Sequence, residues 1–104
     1  MADPHPWPFA ESRETRAIIS YDILHDRTAV HRVDYDEDAE WAFLSRTPGP
    51  DDDDDWVSVC LEDAWLRVRG LPGLREAVAA LRPGHCLEWD PYTWTWHRHE
   101  LVSE

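Results

Sequence analysis

The spacing of apolar residues changes along this chain, and each change marks an element. Arg16 to Leu24 (RAIISYDIL) is a β-branched apolar run that predicts a first strand, bent near Ser20. A tight turn at His25-Asp26-Arg27 leads into Thr28 to Tyr35 (TAVHRVDY), where the residues alternate. Ala29, His31, Val33 and Tyr35 share one face of this second strand, with Val30, Arg32 and Asp34 on the other. The pair reads as a β-hairpin. Ala39 to Ser45 (AEWAFLS) predicts a short third strand, with Trp41 and Phe43 on one face. Thr47-Pro48-Gly49-Pro50 and the five aspartates after it form a loop by every breaker rule. Trp56 to Leu61 (WVSVCL) is a fourth, almost continuously apolar strand.

The period then becomes helical. Glu62 to Val68 fits a short helix with Ala64, Trp65 and Val68 on one side. Pro72 to Leu81 fits a second, because Leu71, Leu74, Val78 and Leu81 recur at i, i+3, i+7 and i+10. Arg82-Pro83-Gly84 stops it. His85 to Asp90 and Thr93 to His99 flank Pro91-Tyr92 as a terminal hairpin. The expected fold is a small α+β domain: about six mainly antiparallel strands, with one or two short helices packed on one face. Residues 1–12, with prolines at 4, 6 and 8, read as an extended arm that packs through Trp7 and Phe9, and residues 13–104 as the single domain.

Composition adds one strong feature to this frame. The 104 residues carry a net charge of −12, and that charge is not spread evenly. Asp34 to Asp63 holds twelve carboxylates against one cation, Arg46; the rest of the chain balances ten acids against nine arginines. The acids form two runs, DYDEDAEW (34–41) and DDDDDW (51–56), and each ends on a tryptophan. Localised charge beside large aromatics points to a basic partner, whereas phosphate-rich nucleic acid would be repelled. The N-terminus lacks the cationic and apolar regions of a secretory signal, and no apolar run approaches a membrane span, so the protein is expected in the cytoplasm and off the membrane. Cys60 and Cys86 are expected to be reduced, buried thiols.

Two metal readings follow from the same residues. Asp51, Asp53, Asp55 and Glu62 fall at positions 1, 3, 5 and 12 of a calcium loop, but the sixth position is Trp56 instead of glycine and TPGP cannot supply the entering helix. On a strand, His97 and His99 point to one face, and His85 is a candidate third ligand. Catalysis has less support. None of the serines stands in a nucleophile elbow, four glycines build no phosphate cradle, and Cys60 closes an apolar strand. No catalytic residue, resident metal or cofactor is assigned.

In order, AIISYDILHD, VHRVDYD, the acidic step into tryptophan DEDAEWAFLS, DDDDDWVSVCLED and the leucine-rich LPGLREAVAAL resemble the immunity protein 33 family over residues 16–99. Glu40, where that pattern has a small residue before its tryptophan, and the aromatic tail WTWHRH depart from it. The resemblance implies a cytoplasmic antidote that neutralises a cognate toxin without chemistry of its own. The leading expectation is therefore a non-enzymatic acidic protein-binding module. Its candidate contacts are Asp34, Asp36, Glu37, Asp38, Glu40, Trp41, Asp51, Asp52, Asp53, Asp54, Asp55 and Trp56. The alternatives are a metal-cation-binding protein using the acidic loop or His97/His99, and a housekeeping or regulatory domain whose acidity only maintains solubility.

Overall fold

The computed structural model describes residues 7–26, 29–45 and 56–100; the five-aspartate loop therefore lies outside the described residues. Nine elements follow in order: β1 (Arg16–Ser20), α1 (Tyr21–Asp26), β2 (Arg32–Tyr35), β3 (Trp41–Leu44), β4 (Trp56–Cys60), α2 (Leu61–Val68), α3 (Leu74–Ala80), β5 (His85–Asp90) and β6 (Thr95–Glu100). The strands form one six-stranded sheet in the order β4-β1-β3-β2-β5-β6. All pairs are antiparallel except β1 with β3. The α+β expectation and the six strands hold, with three short helices in place of one or two.

The extra helix explains the main departure. The run expected to continue as a strand to Leu24 leaves the sheet at Ser20 and coils into α1, burying Ile23. A short apolar run fits either state; here Ile19 and Ile23, four apart, both reach the core. The Ser20 hydroxyl accepts the N–H of Ser45 at 3.1 Å, and Asp22 in the first helical turn accepts the Ser45 hydroxyl at 2.9 Å. Those bonds tie the exit of β1 to the exit of β3. β1 therefore runs parallel to β3, with Ile18 opposite Ala42, and the expected β1–β2 hairpin does not form. Its antiparallel neighbour is β4.

The core fills one face of the sheet. Ala17, Ile19, Val33, Trp41, Phe43 and Leu87 point there and meet Leu61, Ala64, Trp65 and Val68 of α2 and Leu74 and Val78 of α3. Phe9, from the N-terminal arm, inserts its ring edge-on against Trp41 and Trp65, with centroids 4.7 and 5.2 Å away. Burying such a side chain contributes about 1.5–3 kcal/mol. Among the described residues no helix is long and apolar enough to cross a membrane.

One contact behind Phe9 was not foreseen. Glu11 accepts the Trp41 indole N–H at 2.6 Å on one carboxylate oxygen and the Tyr35 hydroxyl at 2.8 Å on the other. The rings of Trp41 and Tyr35 stack 3.9 Å apart beside it. Burial, together with the hydrogen bond and negative charge of Glu11, pushes the Tyr35 hydroxyl up to about 12.

Candidate functional site

Side chains directly opposite each other in neighbouring strands share a face. The register therefore places Ser58, Ile18, Ala42, Asp34, Cys86 and His99 in one row across the side of the sheet away from the core. Trp56, Ser20, Arg32, Glu88 and His97 belong to the same side. A shallow groove of about 150 Å³ lies there. It is lined by apolar Ile18, Ala42 and Leu44, by the carboxylates Asp34, Asp36 and Glu40, and by Trp41 and Trp56. A depression of about 170 Å³ shares Ile18 and Glu40 and reaches Ser58 on the outer strand. Residues from the first acidic run and the residue that ends the second thus meet, although the two runs are far apart in the chain.

The carboxylates of the first run have different duties. Asp34 forms a 2.6 Å ion pair with Arg32 on its own strand. Burial lowers the Arg32 pKa, but the hydrogen bond and charge of Asp34, together with nearby Cys86 and Glu88, outweigh it, and the net shift is upward. Asp36 shapes the β2–β3 turn, accepting the N–H groups of Asp38 at 2.9 Å and Glu40 at 3.0 Å on one oxygen. That turn holds Ala39 in the left-handed region at φ 61°. Glu37, Asp38 and Glu40 are exposed and form no ion pair with any described residue. Their charge faces solvent, and Glu40 also lines the groove.

The two tryptophans that end the acidic runs separate. Trp56 is 42% exposed on β4, whereas Trp41 is 2% exposed in the core. Trp41 also borders the groove, but its parity on β3 directs the ring toward Phe9, Tyr35 and Glu11, so little of it reaches the surface. Asp51, Asp52, Asp53, Asp54 and Asp55 lie outside the described residues.

The histidines do not assemble as the metal reading required. His97 and His99 stand opposite Glu88 and Cys86, so His85, one residue along from Cys86, faces the other side of the sheet. His97 contacts Asp90 at 3.1 Å, and His85 approaches Glu100 at 4.0 Å. Among the described residues no group of three or more His, Cys, Asp or Glu side chains is arranged to hold a metal ion. Cys86, on inner strand β5, is buried, and burial pushes its thiol pKa upward; Cys60, at the end of outer strand β4, is partly exposed, contrary to expectation.

A second aromatic surface escaped the sequence reading. The β5–β6 hairpin places Trp89, Trp94 and Trp96 around a small apolar pocket of about 170 Å³ completed by Ala29, Val30, Leu71 and Pro72. Asp90 holds the turn by accepting the N–H groups of Tyr92 and Thr93, and these bonds, Tyr92 first, lower its pKa. Trp94, at φ 58°, and Tyr92 project outward. The i, i+2 spacing of Trp94 and Trp96 after a Pro-Tyr turn was the available signal.

Compared with models of known protein families, with curated proteins and with solved structures, the chain matches none of them.

Proposed function

We propose that this protein is a non-enzymatic module that binds a basic protein partner through the groove between Glu40 and Trp56, in the manner of an immunity protein covering a cognate toxin. One observation carries the proposal: carboxylates of the first acidic run and the exposed indole of Trp56 border the same apolar groove. Exposed acids draw a basic surface in and accelerate encounter, and an aromatic anchor over apolar ground supplies contact energy. The five aspartates next to Trp56 in sequence add charge of the same sign. Nucleic acid is disfavoured by that charge. The toxin as partner rests on the resemblance of residues 16–99 to the immunity protein 33 family.

The test compares wild type with a Glu37→Ser/Asp38→Ser/Glu40→Ser variant and with Trp56→Ala as baits in low-salt extracts of the source cells. All three should melt alike. A basic protein that wild type retains, that elutes as salt rises and that both variants lose supports the proposal. Equal capture by all three would contradict it.

A further inference from the structure

Among the described residues β4 and β6 are the two outer strands of the sheet, and their outer edges differ. β6 (TWHRHE) carries His97, Arg98, His99 and Glu100, the kind of charged and bulky residues that protect outer strands from adding another strand. β4 (WVSVC) has no charge and no proline, and pairs without interruption from Arg16 opposite Cys60 to Ser20 opposite Trp56. Val57 and Val59 on it are only partly buried.

The phase of the β4 ladder can be read from one bond. The Leu61 N–H donates to the Thr15 carbonyl at 2.6 Å, one step beyond the last β1–β4 pair. Bonded and non-bonded pairs alternate in an antiparallel ladder. Val57 and Val59 therefore turn their backbone groups inward to β1, and Trp56, Ser58 and Cys60 present theirs outward. Among the described residues nothing pairs with that edge.

Charge selects what can. Asp51–Asp55 precede β4 and Glu62 and Asp63 follow it, with Arg13 pairing Glu62 at 2.9 Å. A second copy pairing there would bring further carboxylates of the same sign to an already acidic stretch of chain, which disfavours it. The same carboxylates favour a strand bearing arginine or lysine.

Resting on the reading of the groove as a partner-binding site, we infer that the outer edge of β4 receives an extended basic segment of the partner as a seventh strand. Backbone bonds to Trp56, Ser58 and Cys60 hold it, and a guanidinium on the coreless side stacks on the Trp56 indole.

The test uses the intact protein and two peptides of alternating arginine and valine, identical except that one is methylated on every backbone nitrogen. Calorimetry reads affinity, and amide exchange reads the edge. The plain peptide should bind, protect the Ser58 and Cys60 amides, and exceed the methylated one at least tenfold. Equal binding without that protection would overturn strand addition while leaving charge-led recognition standing. If neither peptide binds, the partner-binding reading itself falls, and strand addition with it.

Discussion

Trp41 and Trp56 occupy the same place in sequence, each directly after a run of acids, yet they lie on opposite sides of the sheet. Trp41 stands on β3, an inner strand, with parity that turns it into the core, where it meets Phe9 and hands its N–H to Glu11. Trp56 begins β4, an outer strand, with parity that turns it away from the helices. An acidic step into tryptophan is therefore not one motif. In the first instance the ring is structural and only the acids remain outside; in the second the ring itself is left accessible.

Truncating each ring separates the two roles most sharply. Trp41→Ala should cost about 3–5 kcal/mol of stability, whereas Trp56→Ala should cost less than about 1 kcal/mol, read by denaturant or thermal melts. Similar losses at both positions would remove the distinction. For affinity the order reverses. Trp56→Ala should weaken binding of a basic partner by about 2 kcal/mol or more, roughly thirtyfold, measured by calorimetry.

Glu11→Ala probes the buried side alone. It leaves the Trp41 N–H and the Tyr35 hydroxyl without their acceptor and should cost about 1–3 kcal/mol in a melt, with partner affinity unchanged. The smallest effect concerns alkaline pH. Tyr35 is raised from 10.0 to about 12 in the fold, so between those values the native state keeps a proton that the unfolded chain has lost. Stability from this group is complete below pH 10 and falls as pH rises toward 12. A Tyr35→Phe variant should lose that part of the alkaline decline, seen by comparing pH-dependent unfolding of the two proteins.

The sequence was a good guide wherever structure is local. α2 and α3 follow apolar spacing, the terminal hairpin follows its Pro-Tyr turn, and Trp41 shares a face with Phe43 as alternation requires. It was a poor guide to pairing. RAIISYDIL has no period that distinguishes a long strand from a strand followed by one helical turn, so the parallel β1–β3 contact stayed hidden. Glu11 reaches residues 24 and 30 positions away, a relationship with no local pattern. The groove was half legible: its acids and Trp56 stood out as types, but their meeting depends on the strand order. Arg32 and Asp34 were expected on one strand face, but alternation alone does not reveal that their side chains pair and neutralise each other.

The most direct test of the contrast is a titration of isotope-labelled protein with an arginine-rich peptide, following the indole N–H signals of the seven tryptophans by NMR. The Trp56 signal should move progressively, with the Ser58 and Cys60 amides, while Trp41 stays fixed. Movement confined to Trp89, Trp94 and Trp96, with Trp56 unchanged, would place recognition at the terminal hairpin and contradict the account.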